Sequence, residues 1–172
     1  MRKQLVVTAS GRDRAGILEE LAGLIVRFDG NVEASRMARM GGDFAMLMFI
    51  SAPEETVHGL SDAFAALEDA RFDIRARLSE ALEPADEPGT VSCAITVLGA
   101  DHLGIIHQVA RYLAEQGVNI DTMSTEVTAA PMSGTPLFTM SASVRIPANL
   151  SVDDLRDALD YIGEEVGVDT KG

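Results

Sequence analysis

Gly11-Arg12-Asp13-Arg14-Ala15-Gly16-Ile17-Leu18 and Gly99-Ala100-Asp101-His102-Leu103-Gly104-Ile105-Ile106 decide the fold. Both stretches read Gly-x-Asp-x-x-Gly-Ile-aliphatic. The second lies 88 residues after the first at each matched position: Gly99 against Gly11, Asp101 against Asp13, Gly104 against Gly16. Each follows a β-like run and opens a helix-like run. Two copies in register signal an internal duplication, which must be read before anything else.

Outward from the first loop, Gln4 to Ser10 is β-branched and apolar enough for a strand. Leu18, Leu21, Ala22, Ile25 and Phe28 fall at helical spacing, with Gly30 as the stop. Asn31 to Met40 reads as a second strand and Gly41-Gly42-Asp43 as a tight hairpin turn. Phe44 to Ile50 is apolar at every position and belongs in the middle of a sheet. Pro53 and Glu54 open a second helix carrying Val57, Leu60, Phe64 and Leu67. Phe72 to Leu78 alternates with period two.

Around the second loop the order repeats. Val91, Cys93, Ile95 and Val97 alternate along a strand, and Ile106, Val109, Ala110 and Leu113 form the helix stripe. Asn119 opens the next strand, 88 residues after Asn31. A longer loop, Ala129 to Thr135, leads to the strand Leu137–Ile146. Ser151 with Asp154 resembles a capping box; the helix it starts carries Val152, Leu155, Leu159 and Ile162, and a short strand spans Val166 to Asp169. Each half is therefore βαββαβ. That order is the α+β, ferredoxin-like arrangement: an antiparallel four-stranded sheet with both helices on one face. The expected domains are residues 1–82 and 90–172. Two prolines, a glycine and three acids mark residues 83–89 as the linker.

Composition narrows the function. The chain has 172 residues, 47% of them hydrophobic, enough for two small cores. A net charge of −13 repels nucleic-acid phosphates and anionic membrane surfaces, so neither is an expected partner. No apolar run reaches a membrane span, and Met1-Arg2-Lys3-Gln4 leads into no signal-peptide core. With one cysteine, Cys93, the chain reads as cytoplasmic. Cys93 sits on an apolar strand alternation and reads as core. His102 and His107 are five apart, off a shared helix face, so no metal site is expected. No catalytic constellation and no cofactor motif is legible. Met37, Met40, Met46 and Met48 read as core filling or a domain interface.

The loops offer a different chemistry. A strand that ends in a glycine loop and enters a helix exposes unpaired N–H groups suited to a carboxylate. Asp13 and Asp101 read either as N-caps or as groups orienting a ligand ammonium. Asn31 and Asn119 read either as turn residues or as polar contacts beside the loop.

The βαββαβ order resembles the ACT domain, with Asp-x-x-Gly-Ile-Leu at the first turn and Gly-Asn-Val or Gly-Val-Asn-Ile at the second strand. The tandem form resembles the glycine-cleavage-system transcriptional repressor-like proteins over nearly the whole chain. The resemblance implies a non-catalytic regulatory protein that binds an amino acid or similar small ligand where domains pair. It would signal through a protein partner, with an indirect effect on transcription and a homodimer as one expected assembly. It implies ligand contact by Asp13, Arg14, Ala15, Gly16, Ile17 and Leu18, by Asp101, His102, Leu103, Gly104, Ile105 and Ile106, and by Asn31 and Asn119. Many family members have proline where Ala15 and Leu103 stand, which leaves these loops less preorganised. The alternative is a ligand-free interaction module.

Overall fold

The computed structural model describes residues 1–67, 72–79, 89–101, 103–131, 133–166 and 168–171, with side chains to Ile162. The chain divides into two compact units, Met1–Pro84 and Ala85–Gly172. The expected linker, except Gly89, lies outside the described residues, as does His102.

In the first unit, β1 (Arg2–Arg12), α1 (Ile17–Arg27), β2 (Asn31–Met40), β3 (Asp43–Pro53), α2 (Val57–Ala65) and β4 (Phe72–Ser79) follow in order. The sheet order is β2-β3-β1-β4 and every pairing is antiparallel. In the second unit, β5 (Val91–Ala100), α3 (Ile105–Glu115), β6 (Asn119–Ala129), β7 (Pro136–Ile146), α4 (Val152–Val166) and β8 (Val168–Lys171) give the order β6-β7-β5-β8. Each unit is a ferredoxin-like βαββαβ sandwich, as the duplication requires.

The pleat places Leu5, Val7 and Ala9 of β1 and Phe44, Met46, Met48 and Ile50 of β3 on one face. Ile17, Leu21, Leu24 and Ile25 of α1 and Val57, Leu60 and Phe64 of α2 bury against them. A fully buried side chain of this kind contributes about 1.5–3 kcal/mol. The second core repeats the pattern with Ile95, Val97, Met140, Val144, Ile105, Val109, Leu113, Leu155 and Leu159. β3 is central, as expected, but from Phe44 to Ile50 only alternate residues are buried: Leu47 on its outer face is exposed.

The helix stripes are rotated from the expected ones. Ile17 and Ile105 are buried, while Leu18 and Ile106 are exposed. The helices begin at residues 17 and 105, so the buried positions run i, i+4, i+7 or i+8 from there. Pro53 ends β3 instead of opening α2. Having no N–H, proline suits a strand end. The helix entrance is Thr56, whose hydroxyl donates to the Phe28 carbonyl at 2.9 Å. α4 runs to Val166, which continues the Leu155–Leu159–Ile162 spacing, so the last strand starts at Val168.

Both first helices end alike. Gly30 and Asp29 amides donate back to Ile25 and Val26 carbonyls, and Val118 and Gly117 amides to Leu113 and Ala114. This is the Schellman closure. Gly117 supplies the left-handed residue in the second unit; Asp29, at φ 54°, does so in the first. Among the described residues, no helix is long and apolar enough to cross a membrane.

Candidate functional site

Each loop is pinned to the hairpin end of its sheet. The Asp13 amide donates to the Gly42 carbonyl at 3.0 Å, and the Asp101 amide to the Pro136 carbonyl at 3.0 Å. Gly41 and Gly42 both have positive φ, the turn geometry expected of this pair. The loop then closes on Gly16, at φ 92° and ψ −8°, or Gly104, at φ 96° and ψ −2°. These glycines are the N-caps. Their carbonyls accept the first helical bonds, from Glu20 and Gln108, and neither helix has a side-chain cap. A Cβ built on either glycine meets nothing within 4 Å. Both cap positions are thus open, and the first N–H groups of each helix have no side-chain cap.

Asp13 does not cap α1. It lies three residues before the cap position, and its Oδ2 accepts from Arg39 Nε of β2 at 2.7 Å. Asp101 does not cap α3 either, since Gly104 holds that position. Arg14 pairs with Glu20 in the first turn of α1. Ala15, Leu18, Leu103 and Ile106 are exposed, Leu103 completely. Ile17 and Ile105 are core residues, so only their backbone can face a ligand.

Asn31 and Asn119 do not lie beside the loops of their own units. Asn31 pairs with Ser51, and Ser51 with Gln4 near the start of β1. Asp13 follows Arg12 at the other end of that strand. Eight strand residues at about 3.3 Å each separate the two ends by roughly 26 Å. The cause is the helix: α1 carries the chain back along the sheet before β2 begins. Asn119, paired with Arg145, is displaced from the second loop in the same way.

Each asparagine instead starts a small polar network. β2 has a register shift between Val32 and Ala34, and β6 between Ile120 and Thr122. The bulged residues are both acids, Glu33 and Asp121. Asn31 Nδ2 donates to Glu33 Oε1 at 3.2 Å, and Asn119 Nδ2 to Asp121 Oδ1 at 2.9 Å. Ser51 Oγ donates to Glu33 Oε1 at 2.6 Å, and Arg2 Nε donates to Ser51 Oγ at 3.1 Å. In the second unit Arg145 reaches the acid directly, Nε to Asp121 Oδ1 at 2.9 Å. The Ser51 hydroxyl, then the Asn31 amide, hold the Glu33 carboxyl below its ordinary value; partial desolvation opposes them and the Arg2 charge assists. Each asparagine thus gives one amide hydrogen to the acid and keeps its amide oxygen as an acceptor. The sequence carried this signal unread: Asn31-Val32-Glu33 and Asn119-Ile120-Asp121 are the same Asn-x-acid motif, 88 apart.

The edge strands complete the picture. Every residue of β2 is exposed, and β6 is exposed at all but Ile120. Met37, Met40 and Val32 on β2, with Leu18 and Val26 on α1, leave apolar surface uncovered. Met123 and Val127 on β6, with Ile106 on α3, do the same in the second unit. The methionines therefore split: Met46 and Met48 are core, Met37 and Met40 are surface. Cys93 is half-buried against the second core.

The model of the ACT domain matches residues 3–77. A protein of Methanopyrus kandleri, UPF0237 protein MK1213, is 40% identical over 76 residues, 44% of this chain and 78% of that one. The crystal structure of an unknown protein from Galdieria sulphuraria superposes with a TM-score of 0.85 at 34% identity, over 99% of this chain and 97% of the other. A candidate glycine cleavage system transcriptional repressor superposes at 0.70 with 21% identity, over 99% and 96%, which is a likeness of fold.

Proposed function

The chain belongs to the ACT domain family, and on that premise we propose that it is a non-catalytic, cytoplasmic regulatory protein that binds a free amino acid and passes its state to a protein partner. The observation that carries the reading is the pair of uncapped helix starts at Gly16 and Gly104, each open to solvent and each repeated in the same conformation. Backbone N–H groups there suit the ligand carboxylate. The amide oxygens of Asn31 and Asn119 suit its ammonium. Within a unit these partners stand at opposite ends of the sheet. A ligand held by both joins the loop of one ACT unit to the strand start of another, as in a dimer of this chain. Binding would then be linked to assembly, which is how a small molecule shifts the population of a sensor. Any effect on transcription passes through the protein partner, because a chain of charge −13 has little to offer duplex DNA.

Isothermal titration of the free amino acids, one at a time, tests the proposal. One of them should bind, and binding should be lost in Gly16→Val or Gly104→Val and weakened in Asn31→Ala, with circular dichroism showing that the fold is retained. Light scattering should report a larger species with ligand. Absence of any binder at millimolar concentration refutes the sensor.

The exposed edge strands favour a second reading, an interaction module that works without ligand. Apolar side chains on an open strand edge invite pairing with another chain. In that case Met37→Lys would abolish self-association or partner capture, and the glycine substitutions would leave both intact.

A further inference from the structure

The face of the first sheet that turns away from its helices carries a second site. Arg36 of β2, Leu47 of β3, Thr8 of β1 and Arg75 of β4 stand in one cross-strand row. Three interstrand spacings put the two arginine Cα atoms about 14 Å apart. Both arginines line one open cavity of about 540 Å³, whose wall includes Leu47, Ala38, Ala45, Thr8 and Ser10. Asp73 lies in the same cavity and accepts from Arg75 Nε at 3.3 Å, which spends one of the five donors of that guanidinium. Arg36 donates from Nη1 to the carbonyl of Ser35, leaving its other donors for the cavity. Two guanidiniums against one carboxylate leave a net positive charge here, in a chain whose total is −13. Arg77, in the next row beside Val6, adds to it.

The duplication supplies a control. At the positions 88 residues after Arg36 and Ala38, the second unit has Ser124 and Glu126. Its loops repeat those of the first unit, but the arginine pair does not: Lys171 pairs with Thr96 as Arg75 pairs with Thr8, and Ser124 stands at the far end of that row in place of Arg36. Two arginines at the ends of one row are therefore not a by-product of the shared fold.

We propose that this cavity binds a small organic anion, a carboxylate or sulfonate with a compact apolar body, whose charged head lies between Arg36 and Arg75 and whose body rests on Leu47, Ala38 and Ala45. The planar guanidinium forks match such a head in bidentate fashion. The apolar wall disfavours a fully hydrated inorganic ion as the occupant. The site shares no residue with the glycine loops or with the asparagines, so it stands or falls separately from the sensor reading.

The test uses the full chain and 8-anilinonaphthalene-1-sulfonate, an organic anion whose fluorescence rises on an apolar surface. Titration should saturate at one site per chain. Arg36→Gln and Arg75→Gln should each weaken binding about tenfold, the loss of one charged hydrogen-bonding partner. The double variant should show no saturable phase. Arg111→Gln, on α3, removes the same charge elsewhere and should leave the affinity unchanged. Benzoate should displace the dye at constant ionic strength. Unchanged affinity in the double variant overturns the proposal, as does equal weakening by Arg111→Gln, which would mean that overall charge alone governs binding. Saturable capture of a single-stranded oligonucleotide that depends on the same two arginines, with no displacement by benzoate, overturns it in favour of nucleic acid.

Discussion

Replacing Gly16 by alanine separates backbone strain from steric crowding. The residue sits at φ 92°, and a Cβ there meets nothing within 4 Å. No packing contact is lost or strained, so the whole cost is conformational. Holding an L-residue in the left-handed region costs about 1–2 kcal/mol. In a unit of this size that lowers the thermal midpoint by about 4–8 °C per kcal/mol. Gly104, at φ 96° with the same open surroundings, should respond equally in the second unit. Asparagine tolerates positive φ better than alanine, so Gly16→Asn should recover part of the loss. Gly59→Ala is the contrasting case. Its Cβ meets Phe28 Cε1 at 2.9 Å in an ordinary backbone conformation, so its cost comes from displacing a ring. Urea denaturation of the four variants at neutral pH gives the comparison. A neutral Gly16→Ala, or an asparagine as costly as alanine, would refute the claim that conformation alone fixes glycine at this helix start.

Three further outcomes follow from single contacts. Ser151→Ala removes the hydroxyl that accepts the Asp154 amide at 3.0 Å and should cost about 1 kcal/mol by urea denaturation. Phe64→Ala empties a fully buried position in the first core and should cost about 3–5 kcal/mol, seen in the transition of the first unit and not in that of the second. Glu33 has a depressed folded pKa, so its contribution is present above the unfolded value near 4.5 and is lost as pH falls through the folded one. The stability difference between wild type and Glu33→Gln, measured from neutral pH downward, should shrink below about pH 4.5, and Ser51→Ala should remove most of that pH dependence; a difference that does not change with pH would contradict the network.

The duplicated loops made the topology legible because glycine, aspartate and strand periodicity all reported the same break between β1 and α1. The helix faces were less legible. Gly-Ile-Leu and Gly-Ile-Ile each offer two adjacent apolar residues, and periodicity alone does not say which one points inward; the helix start decides it, in favour of Ile17 and Ile105. Pro53 misled in the same way, since proline suits the first turn of a helix and the end of a strand equally well. The asparagines were found by their shared offset, but their place was not. A side chain 18 residues after the loop looks close in sequence, while an intervening helix of 11 residues carries it to the far end of the sheet. Glu33 and Asp121 were missed because a bulge acid has no periodic signature; only the comparison of the two repeats shows it.

That comparison also explains why the two strand starts differ while serving one geometry. Glu33 is held by a hydroxyl that Arg2 supports from β1, and Asp121 by Arg145 from β7. Ser51 and Arg145 differ in chemistry but hold the same register position, each hydrogen-bonds an acid at a bulge, and both acids take an NH2 hydrogen of the preceding asparagine. What is preserved is the bond from the amide nitrogen to the acid. An asparagine free to rotate would present donor and acceptor equally. One anchored through its nitrogen keeps its oxygen as an acceptor, which in the proposed sensor would meet the ligand ammonium. In the same proposal the helix starts would meet the carboxylate. The chain thus offers two acceptor ends and two donor ends, separated within each unit by the length of a strand. A zwitterion of amino-acid size cannot span that length, so these ends can act on one ligand only when one ACT unit brings its loop to the strand start of another.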